Sequence, residues 1–196
     1  GCSSLTSITI PSKVTNIGDY AFARCSSVTT LLIPEGVTSI GDYVFSECSN
    51  LTKITIPEGV TNIGNGVFSE CSSLSNLIIP SKVTSIGDYA FEACSSLTSI
   101  TIPNGVTSIG NGVFSNCNKL INIEVSKSNT KFCSENGILF NKDKNLKNKM
   151  MQLESKNKLG RFVDIDVYLN SSHNTEIVTI KKEELSFESQ SFGNRK

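Results

Sequence analysis

The chain contains no tryptophan, two methionines and a single histidine, and aromatic residues make up only 7% of it. It also has no apolar stretch long enough to span a bilayer, so no membrane insertion is expected from this sequence. The histidine, His173, lies in the polar segment SSHNT, and no nucleophile elbow, phosphate loop or metal-binding helix accompanies it. These absences predict a protein that is not an enzyme and that uses no metal or cofactor.

The net charge is zero, but the two signs are unevenly distributed along the chain. Residues 1–125 carry five Lys or Arg and nine Asp or Glu, whereas residues 126–196 carry thirteen and nine. Neither excess is large enough to predict a nucleic-acid partner. The basic stretch is interleaved with Asn and acidic residues and is interpreted as a solvated linker; it contains Lys142, Lys144, Lys147, Lys149, Lys156, Lys158 and Arg161.

What the sequence does have is a strict repeat of 23 residues. Pro, Gly, Phe and Cys each recur at this interval, and chance does not produce four registers in phase. The prolines are Pro11, Pro34, Pro57, Pro80 and Pro103, and the repeating cysteines are Cys2, Cys25, Cys48, Cys71, Cys94 and Cys117. The phenylalanines are Phe22, Phe45, Phe68, Phe91 and Phe114, and the glycines are Gly18, Gly41, Gly64, Gly87 and Gly110.

One repeat predicts a coil of short strands and turns. The pattern LxxIxI places Leu5, Ile8 and Ile10 on one face of a strand, which Pro11 ends because it cannot donate to a ladder. VTxI predicts a second short strand, and the Gly after it predicts a turn conformation that other residues resist. The [AV]FxxC segment is long enough for only one helical or 3₁₀ turn. A single coil buries too little apolar surface to fold alone, so consecutive coils are expected to stack as a solenoid.

The consensus LxxIxIPxxVTxIGxxAFxxC resembles the BspA-like class of leucine-rich repeat, a 23-residue form found in bacterial and protist surface proteins. Five complete repeats match, from Pro11 to about Val125, and GILFNKDK at residues 137–144 is similar to an insert of that family. The resemblance implies a β-rich leucine-rich-repeat solenoid built of short strands plus turns or 3₁₀ segments. It also implies a surface or secreted microbial protein that binds other proteins.

Two regions are predicted from where the repeat holds. Residues 1–125 form the array, as a partial first coil plus five complete 23-residue coils, and residues 126–196 form an irregular α/β or β cap. Within the cap, 138–140 and 161–169 are interpreted as strands. Residues 175–196 are interpreted as a worn capping repeat, with Phe192 in the register of the repeat Phe. The chain begins inside the pattern at GCSSL, so it is interpreted as a fragment or a processed chain whose targeting signal lies elsewhere.

The cysteine register is predicted to be a ladder of buried free thiols. Its spacing equals the structural period, and side chains in the same register point in parallel, which is poor geometry for a disulfide. Stacked disulfides and a soft-metal site are the less favoured alternatives. Cys133 lies outside the register and is interpreted as a buried residue at a strand end.

Threonine also forms a column, next to the repeat Val, at Thr15, Thr38, Thr61, Thr84 and Thr107. Regular Thr arrays can bind ice, but Thr is also a favoured strand residue on solvated faces. A second Thr column, between the two strand Ile positions, is interrupted by Leu32 and Ile78. Solvated strands are therefore the favoured interpretation.

The predicted binding site is the outward face of the LxxIxI strands, here called the sheet face. It comprises Ser7, Thr9, Thr30, Leu32, Lys53, Thr55, Asn76, Ile78, Ser99, Thr101, Asn122 and Glu124. Leu32 and Ile78 are its only apolar members and predict an anchor patch for a protein partner.

The predicted function is a non-enzymatic interaction or adhesion module, extracellular or on the cell surface, which contacts a host or neighbouring-cell protein. The alternatives are a passive spacer within a longer surface protein and an intracellular scaffold. Open solenoid ends also predict end-to-end self-association.

Overall fold

A computed structural model of the chain describes residues 1–135 and 137–142. The repeats stack as a β-solenoid whose described part contains no helix, so the predicted fold class is confirmed. Each coil has three faces: the LxxIxI segment, the VTxI segment, and a turn segment that spans the repeat Gly and Cys. We call the last of these the turn face; it comprises residues 18–25, 41–48, 64–71, 87–94 and 110–117.

The strands are short and parallel on the first two faces, as stacking of identical coils requires. On the LxxIxI face, the strands that pair are β2 (Thr30–Leu32) with β4 (Lys53–Thr55) and β7 (Ser99–Ile102) with β9 (Asn122–Val125). On the VTxI face, β1 (Asn16–Ile17) pairs with β3 (Ser39–Ile40). The remaining strands of that face form one sheet in the order β5 (Asn62–Ile63), β6 (Ser85–Ile86) and β8 (Ser108–Ile109). In every pair the partners are 23 residues apart, for example Leu31 with Ile54.

The turn face is held by its own hydrogen-bond ladder. Three main-chain N–H groups of each coil donate to carbonyl oxygens of the next coil, as Tyr20, Phe22 and Arg24 donate to Asp42, Val44 and Ser46 at 2.8–3.0 Å. The same three bonds recur at the following three steps. The predicted helical or 3₁₀ turn was wrong, because these segments are successive reverse turns. Their main-chain groups bond to the neighbouring coil as well as within the turn.

The core is a set of stacked registers. The repeat phenylalanines form a continuous column of nearly parallel rings, with centroids 5.6–5.8 Å apart from Phe22 to Phe114. The Val, Ile and Leu registers surround this column and are buried in the inner coils. In the first coil several equivalent side chains are only half-buried, namely Ile8, Ile10, Val14 and Phe22, although Ile17 is buried.

The repeat glycine has a different role from the predicted one. None of these glycines has a positive φ, so the prediction of a conformation closed to other residues was wrong. Instead, a Cβ at Gly41 would overlap the carboxylate of Asp19 in the preceding coil, and Gly64 and Gly110 meet the same obstacle. The glycine therefore makes room for a side chain of the preceding coil. That side chain accepts a hydrogen bond from the main-chain N–H of the residue that follows the glycine. These bonds measure 2.6–2.9 Å, and the acceptors are Asp19, Asp42, Asn65 and Asp88.

Left-handed backbone occurs at two other registers of the turn face. One is the position before the repeat Cys, which is held by Arg24, Glu47, Glu70, Ala93 and Asn116. The other lies two residues after the repeat Gly and is held by Tyr20, Tyr43, Gly66, Tyr89 and Gly112. Every coil thus places two residues in a region that L side chains rarely adopt.

Past Val125 the chain fills two more core positions before it leaves the repeat. Asn129 takes the place of the repeat Val and Phe132 that of the VTxI Ile, and both are buried. An antiparallel hairpin follows, made of β10 (Phe132–Glu135) and β11 (Ile138–Asn141), and β11 confirms the predicted strand at 138–140. The predicted strand at 161–169 and the worn repeat at 175–196 lie outside the described residues.

The hairpin covers the last edge of the LxxIxI sheet. The N–H of Ile123 donates to the carbonyl of Gly137 at 2.9 Å, and the N–H of Val125 donates to Ser134 Oγ at 3.1 Å. These two donors belong to β9, and among the described residues the only strand that pairs with β9 in a sheet is β7, on its other side. The hairpin therefore closes an edge that would be open to pairing with another chain.

Candidate protein-binding face

The sheet face is built by strand alternation. In β2 the side chain of Leu31 points into the core while Thr30 and Leu32 point to solvent, and β4 repeats this pattern around Ile54. Because the coils are in register, outward side chains of successive coils lie side by side, about 4.8 Å apart. The twelve predicted residues thus form two outward columns, and all of them except Asn122 are exposed.

Leu32 and Ile78 are strongly exposed for large apolar residues, at 72% and 77% of their surface. They occupy the same register two coils apart, with Thr55 between them. Most other large apolar side chains of the coils fill the core, so the exposure of these two is not a consequence of the repeat pattern. Two apolar side chains about 10 Å apart on a polar strand surface can anchor a protein partner, because their burial removes apolar area from water.

The sheet face is not one continuous sheet. The segment 74–79, which was predicted to be a strand in its coil, is not part of any ladder, although Leu77 and Ile79 remain buried. The strands of the two adjacent coils pair on their other sides, β4 with β2 and β7 with β9. Ile78 and Asn76 thus project from a segment held by its core side chains.

The two ends of the predicted face also differ from its centre. Ser7 and Thr9 are exposed, but the residues around them form no strand, so the LxxIxI strand predicted for the first coil is wrong. At the other end Asn122 is half-buried and its Nδ2 donates to Glu124 Oε1 at 3.1 Å. Of the residues at these two ends, only Asn122 is thus withdrawn from the accessible part of the face.

Ile121 is an exposed apolar residue that the twelve predicted positions omit. It is exposed over 82% of its surface and lies directly before Asn122. Its register holds Thr or Ser in the preceding coils, at Thr29, Thr52, Ser75 and Thr98. A comparison of that register across coils would have identified the Ile, because it is the only apolar member.

Charge contributes little to this face. Among its predicted residues only Lys53 and Glu124 are charged, and they lie three coils apart. Hydroxyl and amide groups make up most of the remainder. The face is thus suited to a partner that offers apolar side chains and neutral hydrogen-bonding groups, because it has no strong potential of either sign.

The cysteine ladder is a structural element of the core. All seven cysteines are free, and Cys25, Cys48, Cys71, Cys94 and Cys117 are buried, whereas Cys2 is exposed and Cys133 is half-buried in β10. Burial raises the pKa of the Cys48 thiol from 9.0 to about 11 and that of Cys117 from 9.0 to about 12. The thiols of Cys48 and Cys117 therefore stay protonated and unreactive at neutral pH.

A metal-binding cluster is not assembled in the described ranges. Residues 1–135 and 137–142 contain no set of three His, Cys, Asp or Glu side chains placed to hold a metal ion. A helix long and apolar enough to cross a membrane is also absent from these residues. His173 and the basic residues from Lys144 to Arg161 lie outside them, whereas Lys142 is described and its Nζ donates to the carbonyl of Asn129 at 2.7 Å.

The chain matches a family described as "BspA type Leucine rich repeat region", in six copies over residues 1–120 and 61–196. Among solved structures, a leucine-rich repeat protein from Bacteroides ovatus is 42% identical over 58% of this chain and 29% of its own, with a TM-score of 0.55. A leucine rich cell surface protein from Faecalibacterium prausnitzii is 35% identical over 72% of this chain and 44% of its own, with a TM-score of 0.56. The pneumococcal vaccine antigen PcpA is 28% identical over 68% and 33%, with a TM-score of 0.61.

These similarities confirm the predicted resemblance and the solenoid fold. The chain spans less than half the length of each of these three solved proteins. No curated protein matches the sequence.

Proposed function

Because the chain belongs to the BspA-type leucine-rich repeat family, we propose that it is a non-enzymatic protein-binding module of a microbial surface or secreted protein. The sheet face is the contact surface, and its partner is a protein of a host cell, a neighbouring cell or the extracellular matrix. The observation that carries this proposal is the pair Leu32 and Ile78, exposed at 72% and 77% in one register of an otherwise polar face.

The physical basis is the burial of these two anchors. Full burial of a Leu or Ile side chain contributes about 1.5–3 kcal/mol. The surrounding Thr, Ser and Asn side chains offer hydrogen bonds that keep the rest of the face soluble when no partner is bound. Since charge is nearly absent, binding through this face should depend only weakly on salt.

Surface display is supported by the proteins that the chain resembles. One is described as a leucine rich cell surface protein and another as a pneumococcal vaccine antigen. Both descriptions fit a protein that meets molecules outside the cell. Adhesion to such molecules is the finer form of the proposal.

The test is a double substitution of the anchors. The chain with Leu32→Asp and Ile78→Asp is compared with the wild type for binding to immobilised matrix and host-membrane extracts, and then to each captured protein in purified form. Binding should fall more than tenfold, because two charges replace two buried apolar side chains. The circular-dichroism melt should stay unchanged, since both side chains are already in solvent.

Thr15→Asp plus Thr61→Asp is the matched control. Both residues are exposed, they are also two coils apart, and they lie on the VTxI face, so the same charge is added away from the anchors. Undiminished binding by the folded anchor variant would disprove the sheet-face proposal. If the wild type captures no protein from either extract, the spacer alternative is favoured.

Self-association through the solenoid ends remains a prediction, which now concerns the first coil. The hairpin covers the edge of β9, whereas in the first coil Leu5 is 41% exposed and Ile8, Ile10, Val14 and Phe22 are half-buried. Light scattering over a concentration series tests this prediction. A Leu5→Asp variant should shift the association to higher concentration.

A further inference from the structure

The turn face carries exposed aromatic side chains that the sheet face does not use. All three tyrosines of the array, Tyr20, Tyr43 and Tyr89, occupy one register of this face. Tyr20 is exposed over 60% of its surface and Tyr89 over 44%. This aromatic surface and the anchors Leu32 and Ile78 belong to different faces of the coils.

The turn itself does not require these rings. The three tyrosines have φ values of +55° to +56°, and Gly66 and Gly112 adopt the same conformation, at +55° and +58°, in the same register of two other coils. Glycine fits this backbone without the cost of about 1–2 kcal/mol that an L side chain meets there. The phenol rings therefore need an explanation other than the shape of the turn.

The rings are held in fixed positions. Tyr20 and Tyr43 stack with centroids 5.1 Å apart and an interplanar angle of 5°. The ring of Tyr43 in turn lies over Gly66, and that of Tyr89 lies over Gly112, where a Cβ would overlap them. Because each ring rests on the next coil, little side-chain entropy remains to be lost when a partner binds.

Negative charge is concentrated on the same face. Residues 1–125 contain nine carboxylates, and the turn face holds six of them, Asp19, Asp42, Glu47, Glu70, Asp88 and Glu92. Four of the five basic residues lie on other segments, and the fifth, Arg24, is paired with Glu47 at 2.9 Å. The net charge of the turn face is thus negative, opposite to that of a Lys- or Arg-rich partner.

We infer that the turn face is a second docking surface, and that it binds a Lys- or Arg-rich segment of a partner protein. Ammonium or guanidinium groups would lie against the exposed Tyr rings and pair with the carboxylates of the same coils. The rigid tyrosine column sets where the cations bind, and the charge speeds and strengthens the encounter. This surface is separate from the sheet face, so the inference does not depend on the proposed function.

The experiment measures binding of the full chain to a labelled peptide of alternating lysine and serine, by fluorescence anisotropy. A peptide of alternating glutamate and serine is the charge control. The wild type should bind the lysine peptide and not the glutamate peptide. Tyr20→Gly plus Tyr89→Gly should weaken binding about tenfold, and the melt should not fall, because glycine already occupies this register at two coils.

Two further variants separate the aromatic contribution from general charge attraction. Asp19→Asn plus Asp88→Asn removes two charges and keeps the hydrogen-bond acceptors, since Asn65 already makes the same bond; it should also weaken binding. Thr15→Gly plus Thr84→Gly is the matched control and should leave binding unchanged. These two threonines lie on the VTxI face and are three coils apart, as Tyr20 and Tyr89 are on the turn face. Equal binding by the tyrosine variant and the wild type, or no binding of the lysine peptide at all, would overturn the inference.

Discussion

The thiol of Cys71 donates a hydrogen bond to the main-chain carbonyl of Phe45, 3.1 Å away in the preceding coil. The same relation joins Cys94 to Phe68 at 3.2 Å and Cys117 to Phe91 at 3.0 Å. These carbonyls belong to the turn face, where they lack a strand partner. The Cys register thus fills a small buried volume. It also gives each of these carbonyls a second hydrogen bond, beside the one from the Cys N–H of its own coil, and an Ala or Val at this position cannot make that bond.

Thiol labelling should distinguish one cysteine from the others. In the native protein at pH 8, an alkylating reagent should modify Cys2 rapidly, Cys133 more slowly, and the five buried cysteines only on unfolding. Mass spectrometry of peptides from a labelling time course provides the measurement. A Cys2→Ser variant should lack the fast phase, and modification of Cys71 at the rate of Cys2 would contradict the buried ladder.

Stability should fall at alkaline pH through the buried thiol of Cys48. Burial raises the pKa of Cys48 from 9.0 to about 11. Below pH 9.0 this thiol is protonated in both the folded and the unfolded chain. Between pH 9.0 and about 11 the unfolded chain loses a proton that the folded chain keeps, so the free energy of unfolding falls, by at most about 1.4 kcal/mol per pH unit. Denaturant titrations across this range should show a shallower fall for Cys48→Val than for the wild type.

Truncation within the Phe column should be costly at its centre and milder at its start. Phe68 is fully buried between Phe45 and Phe91, so Phe68→Ala should lower the free energy of unfolding by about 3–5 kcal/mol. Phe22 is half-buried and has one ring neighbour, so Phe22→Ala should cost less. Urea unfolding of the two variants measures the difference, and equal costs would argue against the observed column.

The Tyr43 ring and the backbone at Gly66 should be energetically coupled. A Cβ at Gly66 would overlap the Tyr43 ring, and the residue has φ of +55°, so Gly66→Ala should destabilise the protein by about 1–3 kcal/mol. Part of this loss should disappear in a Tyr43→Gly background, because the ring is then absent. A double-mutant cycle measures the coupling, and strictly additive effects would show that the ring moves aside without cost.

The buried Asn129 should not tolerate the residue that its register normally holds. Its Nδ2 donates to the carbonyls of Pro103 and Val106 at 2.8 and 2.9 Å, and its Oδ1 accepts from Lys131 and Phe132 at 2.8 and 2.7 Å. Asn129→Val restores the repeat pattern but removes all four bonds, so it should cost about 3 kcal/mol. Thermal unfolding measures the loss, and the exposed Asn118→Val serves as the control.

Hydrogen exchange gives an independent view of the same region. If Asn129 positions the hairpin, Asn129→Val should also accelerate exchange of the Ile123 N–H, which is bonded to Gly137. Unchanged stability and exchange would show that the four bonds do not anchor the hairpin.

Much of the fold could be predicted because the repeat is so regular. The 23-residue spacing alone identified stacked coils, an internal Phe column and buried free thiols, since identical residues in phase must occupy identical environments. The outward residues of the LxxIxI segments could be predicted for the same reason, because strand alternation fixes which side chains face solvent.

The errors arose where a residue depends on the neighbouring coil. The repeat Gly was predicted from its own conformational freedom, but its role is to leave space for Asp19 and its equivalents. The interrupted ladder at 74–79 and the exposed Ile121 were missed because they depart from the average repeat. The left-handed backbone of the Tyr20 register recurs in every coil, but the residue types at this register, Tyr and Gly, do not share a conformational preference that predicts it.

The sequence by itself determined the repeat, the solenoid and the contents of its core, because a 23-residue period in Pro, Gly, Phe and Cys admits stacked coils and little else. Residues 33–54, IPEGVTSIGDYVFSECSNLTKI, are one such coil less one residue, and its Phe45 and Cys48 face inward. The tertiary structure decided which carbonyl each thiol bonds, why Gly41 must be small, how the hairpin covers β9, and that Tyr and carboxylate side chains share one face. Those features depend on contacts between neighbouring coils, and the repeat pattern does not specify which atoms of two coils come into contact.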